Sequence, residues 1–142
     1  MKSIFFLIAA CLLSLQSCSQ STLDVRSIYF NKHTLASCVV DTPDPDKNSP
    51  YVGQKLVIQW HIPYQEFAQG PIHLQIRYRL KNGDDREESV EVAHMIGRHI
   101  ITFMGRDFLE GGLLSYKVDL VAGENVLAES RHKLWVEKVV VK

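Results

Sequence analysis

Ile72-His73-Leu74-Gln75-Ile76-Arg77-Tyr78-Arg79-Leu80-Lys81 decides the fold. Ile72, Leu74, Ile76, Tyr78 and Leu80 alternate without a break against His73, Gln75, Arg77, Arg79 and Lys81. A strand sends successive side chains to opposite faces, so this stretch presents one apolar face and one polar face. A helix cannot bury both sides of such a pattern. Asn82-Gly83-Asp84-Asp85 supplies turn chemistry, with glycine free to take positive φ. The chain returns through residues 87–92, with Val90 and Val92 expected inward. Setting these two valines opposite Tyr78 and Ile76 predicts a hairpin in which Lys81 faces Glu87 and Arg77 faces Glu91. Opposite charges placed across a strand pair contribute roughly 0.2–1 kcal/mol. The run Arg77, Arg79, Lys81 reads accordingly as a solvated strand face, with phosphate or glycan binding as the alternative.

The same idiom extends both ways along the chain. Leu56, Ile58, Trp60 and Ile62 oppose Lys55, Gln59 and His61, with Val57 the exception. Leu114, Tyr116, Val118, Leu120 and Ala122 oppose Ser115, Lys117 and Asp119. Residues 99–104 read as a short strand. Residues 126 to about 137 read as a last strand with Leu134 and Val136 inward and Trp135 outward. One or two short strands are expected in 25–40. Segment 41–50 is a loop, because Pro43, Pro45 and Pro50 cannot sit in a central strand. No segment shows sustained helical spacing, and 103–114 has room for a short turn only. Strands at this spacing predict an all-β fold: a single antiparallel β-sandwich.

The N-terminus carries a different message. Lys2 supplies a positive start, residues 4–15 form an apolar run interrupted only by Ser14, and Leu15-Gln16-Ser17-Cys18 follows. The length and flanks are those of a signal peptide, and no second long apolar run follows it. The expected organisation is a signal peptide in 1–17, a small polar tether in 18–24 and one domain in 25–142. The 142 residues less the signal leave about 125, enough for one domain and too few for two well-packed ones.

Two resemblances follow from these residues. Leu15-Gln16-Ser17-Cys18 resembles the bacterial lipoprotein signal, in which the cysteine becomes the new N-terminus and carries acyl chains. Ser19 after that cysteine, by resemblance to Gram-negative lipoproteins, implies the outer membrane. The chain as a whole is similar to small envelope lipoproteins of chlamydia-type bacteria. The domain, over 53–136, resembles the immunoglobulin-like and fibronectin type III superfold. That resemblance implies that Trp60 packs in the inter-sheet core and that Tyr116 makes a corner hydrogen bond. Tyr78 stands as a third core landmark. The implied partner is membrane lipid, through acylated Cys18. The alternative is an ordinary cleavage nearby that retains Cys18 and lets it pair with Cys38.

Function classes separate on composition and spacing. From Cys18 onward only Lys2 has been lost, so fifteen basic residues face sixteen acidic ones. That balance gives no case for nucleic-acid binding, which needs a basic excess or stripe. His33, His61, His73, His94, His99 and His132 are scattered, with no pair at zinc-ligand spacing. A surface metal site would need His61 and His73 to sit on adjacent strands. Asp41, Asp44 and Asp46 alternate as a calcium site would, but lack the glycine and terminal glutamate of an EF-hand loop. There is no Gly-x-Ser-x-Gly, phosphate loop or dinucleotide fingerprint. Asp84, Asp85, Glu87 and Glu88 lie in or beside a turn, without the burial that raises a carboxylate pKa. The expectation is a non-catalytic domain without cofactor or metal that binds or scaffolds an envelope protein. A surface adhesin or a glycan- or metal-binding module is the alternative. The candidate binding surfaces of the domain are loop 41–50, Tyr64 and Phe67 in the segment after Ile62, and Trp135.

Overall fold

The computed structural model describes residues 21–34, 40 and 52–137. Cys18, Cys38, the expected signal peptide and loop 41–50 lie outside the described residues. The alternating segments form β1 (Thr22–Asn31), β2 (Val52–His61), β3 (Ile72–Leu80), β4 (Asp85–Glu91), β5 (Ile96–Met104), β6 (Leu113–Ala122) and β7 (Asn125–Arg131). Among the described residues, two single-turn α-helices interrupt the connections, α1 (Tyr64–Phe67) before β3 and α2 (Arg106–Leu109) before β6, and a short 3-10 helix (Lys32–Thr34) follows β1.

A three-stranded sheet in the order β1-β2-β5 packs against a four-stranded sheet in the order β4-β3-β6-β7, and every neighbouring pair is antiparallel. The chain changes sheet between β2 and β3, between β4 and β5, and between β5 and β6. The central pairs β2–β5 and β3–β6 are therefore non-local, as in a Greek-key sandwich. This is the all-β antiparallel sandwich the alternation predicts.

The core is the inward phase of both sheets. Leu56 and Ile58 from β2 meet Leu74, Ile76, Val118 and Leu120 from β3 and β6, all fully buried. Each such side chain contributes roughly 1.5–3 kcal/mol through its removal from water. Tyr78 and Phe103 close one end of the core, ring edge to ring face, with centroids 5.4 Å apart. Trp60 shares the inward phase but is only half-buried at the flank of the core. Its indole lies flat on Gly97, where a Cβ would fall 2.2 Å from Trp60 Cζ2, and Nε1 donates to the His94 carbonyl at 3.0 Å.

Four expectations are corrected. The β3–β4 hairpin closes four residues tighter than apolar matching predicts: Arg77 faces Glu87, Arg79 faces Asp85, Tyr78 faces Arg86 and Leu74 faces Val90. The cause is the turn, where the Gly83 N–H reaches the Leu80 carbonyl at 3.0 Å and Gly83 takes φ of 96°. A shift of four is even, so Val90 and Val92 still point inward. Second, Leu114 is exposed and Leu113 is buried in its place, because a register slip opposite Arg79 and Leu80 puts one extra residue into β6.

Third, the last strand stops at Arg131, and Leu134 and Val136 are exposed. The Trp135 N–H bonds the His132 carbonyl at 2.9 Å, which turns the chain back across the sheet. Fourth, β1 starts at Thr22 and pairs with His61, Trp60 and Gln59 where tether was expected. His61 and His73 belong to different sheets, so the condition for their meeting fails.

Candidate functional site

The outward face of the four-stranded sheet is built in charged rows. Glu87, Arg77, Lys117 and Arg131 stand in line across β4, β3, β6 and β7. The neighbouring row is Ser89, Gln75, Asp119 and Glu129. Like charges directly opposite one another are destabilising, and the diagonals relieve them. Arg77 Nη2 reaches Asp119 Oδ2 at 3.1 Å, while Lys117 Nζ lies 3.6 Å from Asp119 Oδ2 and 3.3 Å from Glu129 Oε2. Burial pulls the Lys117 pKa down, but Asp119 and Glu129 outweigh it and hold it above its ordinary value.

The tail after β7 folds onto this lattice. Glu137 places Oε2 3.4 Å from Arg77 Nη1 and Oε1 3.5 Å from Lys117 Nζ. Trp135 Nε1 donates to Glu137 Oε1 at 3.3 Å. That bond, with Arg77 and Lys117, holds the Glu137 carboxyl below the usual carboxylate range. The Trp135 ring rests against two guanidinium groups, with Arg79 Cζ at 5.4 Å and Arg77 Cζ at 6.0 Å from its centroid. Arginine over an indole is a cation–π arrangement.

Beside the indole opens a cleft of ≈ 270 Å³ lined by Arg77, Arg79, Asp85, Arg86, Trp135 and Glu137, among others. Its charges are fixed by pairing. Arg79 Nε lies 2.6 Å from Asp85 Oδ1. Arg86 makes two bonds of 2.9 Å to Asp107, which tie β4 to α2. Those bonds raise the Arg86 pKa and lower that of Asp107. Tyr78 Oη donates to Glu88 at 2.9 Å, and burial together with that carboxylate pushes its pKa up to about 12. A general acid or base works best when it titrates near the operating pH. The shifts of Tyr78, Arg86 and Asp107 each move the group further from neutrality.

Two of the candidate surfaces fall within the described residues, at α1 and at Trp135. Tyr64 is exposed on α1, while Phe67 is half-buried and packs against the core. Trp135 is half-buried beside Arg79, at the far end of β3 from Ile72. Cys18 lies outside the described residues. Trp60, Tyr78 and Tyr116 are structural: Tyr116 Oη donates to the Val25 carbonyl at 3.0 Å, across the sandwich to the other sheet and not to a nearby corner. Sequence reading missed Arg86, Asp107, Asp119 and Glu137. Only the polar phase of β6 hinted at Asp119. Among the described residues no cluster of His, Cys, Asp and Glu is arranged to hold a metal ion. Comparison with known proteins gave no match: no family, no curated protein and no solved structure matches the chain.

Proposed function

We propose that this chain is a small bacterial envelope lipoprotein, held at the outer membrane through acylated Cys18. Its sandwich acts as a non-catalytic module that binds or scaffolds another envelope protein. The anchoring half rests on the sequence: the Lys2 start, the apolar run 4–15 and Leu15-Gln16-Ser17-Cys18. The binding half rests on one observation, the Trp135 indole lying against Arg77 and Arg79 at the rim of a cleft. Tryptophan and arginine are enriched among residues that dominate interface energies. Here both are already ordered by Asp119, Asp85 and Glu137, so little side-chain entropy is left to lose on contact.

The test is site-specific photo-crosslinking in intact envelopes with a reactive amino acid at Trp135. The reading predicts a discrete protein adduct that disappears when Arg77→Glu and Arg79→Glu are introduced together. Absence of any adduct at Trp135 in folded protein would count against it.

A further inference from the structure

The two ends of the sandwich differ in chemistry. One end carries the start of β1, the α1 connection, the β4–β5 connection and the β6–β7 turn. Thr22 pairs with His61 and His61 with Ile96, and the Ile62 N–H donates to the Met95 carbonyl at 2.8 Å. Ser21 Oγ donates to Glu66 just after α1 begins, and Ile72 pairs with Ala122 at the foot of the β6–β7 turn. In connections 62–71, 92–95 and 123–124 the ionisable side chains are Glu66, His94 and Glu124. This end exposes Tyr64 at 73 %, Ile96 at 71 %, Val126 at 58 % and Met95 at 40 % of their surface.

The opposite end is charged. Its connections 81–84 and 105–112 hold Lys81, Asp84, Arg106, Asp107 and Glu110. That end exposes Leu109 among three of these charges, and Val52 and Met104 to a smaller extent.

Cys18 precedes Ser21 by three residues. An extended residue spans at most about 3.6 Å, so Cys18 lies within about 11 Å of Ser21 however the chain runs. Ser21 is buried at the weakly charged end. We infer that this end is a lipid-docking surface, with Tyr64, Ile96, Met95 and Val126 resting in the headgroup region while the acyl chains on Cys18 enter the bilayer. The inference rests on the proposed anchoring at Cys18.

Tyrosine is enriched at membrane–water interfaces, where its ring meets hydrocarbon and its hydroxyl meets water. Interfacial binding scales with the apolar area inserted. A tether this short also holds the surface at high effective concentration against the bilayer, so a weak contact suffices. The outcome for function is orientation. Arg79 lies seven residues along β3 from Ile72, so the Trp135 cleft is displayed about 23 Å further from the lipid.

The test uses the mature protein purified from membranes, its acylation verified by mass. It is placed in nanodiscs of phosphatidylethanolamine and phosphatidylglycerol carrying a gadolinium-chelating headgroup. Amide NMR signals of 62–66, 94–97 and 124–126 are expected to be lost, while those of 82–85 and 107–111 persist. The double variant Tyr64→Ser, Ile96→Ser changes two exposed side chains, and with acylation intact it should lose the fixed orientation, so that broadening weakens at 62–66 and 94–97 and spreads to 82–85 and 107–111. Uniform broadening of the acylated protein, or an unchanged pattern in the double variant, would overturn the docking surface and leave the anchor standing. An acyl-free Cys18 would overturn the anchor and the docking together.

Discussion

The phenol of Tyr116 in β6 donates its hydroxyl proton to the backbone carbonyl of Val25 in β1, 3.0 Å away in the opposite sheet. Ninety-one residues of chain separate the two groups, and both residues are buried. The bond joins the two layers where β1 forms the edge of one sheet and β6 runs one strand in from the edge of the other. Removing only the hydroxyl in Tyr116→Phe keeps the ring in place. It should lower unfolding free energy by about 1 kcal/mol, the usual net worth of such a hydrogen bond. Urea denaturation of the two proteins measures this directly, and equal midpoints would show that the bond contributes nothing to joining the sheets.

Alkaline stability should depend on Tyr78. Its folded pKa is raised to about 12, first by burial and then by Glu88. A group whose folded pKa exceeds its unfolded value, near 10 for tyrosine, contributes stability that is complete below the unfolded value. That contribution drains away as pH rises from about 10 towards 12. Tyr116 is shifted in the same direction, by burial and then by Asp24, and adds to the loss. Thermal melts across this window should steepen in their pH dependence for the wild type. They should flatten in Tyr78→Phe, which has no proton to lose.

The fold was legible where strands have one wet face and one dry face, and illegible where a turn or a tail decides. Ile72 to Leu80 announces itself by alternation, and so do Leu56, Ile58 and Tyr116. The hairpin register escaped because apolar matching cannot distinguish offsets of an even number of residues. The geometry of Gly83 chose the tighter one. Leu114 escapes for a related reason, since a single inserted residue reverses the side chains before it relative to those after it.

Trp135 does reach the outer face, but by leaving the strand and turning back rather than by alternation. The cleft could not have been foreseen. It needs Arg77 and Arg79 from one strand, Asp107 from a distant helix and Glu137 from the tail, and no spacing in the sequence joins them. The seat of Trp60 was equally hidden, because Gly97 makes room for the indole from 37 positions away, a separation read directly from the chain.

The tail contact should be acid-sensitive. Glu137 is held below the usual carboxylate range by the Trp135 N–H, then by Arg77 and Lys117. A depressed folded pKa means that the contact contributes above the unfolded value and is lost only as pH falls through the folded one. Trp135 fluorescence should therefore hold through the ordinary carboxylate range and change below it. Trp60 is the other of the two tryptophans, so a Trp60→Phe background isolates the signal. Glu137→Gln should abolish this acid transition while leaving the sandwich folded. Persistence of the transition in that variant would mean that another group holds the tail.

Anchoring is the claim on which location, orientation and partner all depend. The decisive measurement is the intact mass of the mature protein from a membrane fraction, beside a Cys18→Ala variant. The account predicts a chain beginning at Cys18 with added acyl mass, and a variant that stays unprocessed or leaves the membrane. A wild-type chain cut elsewhere, carrying no acyl mass, would contradict it.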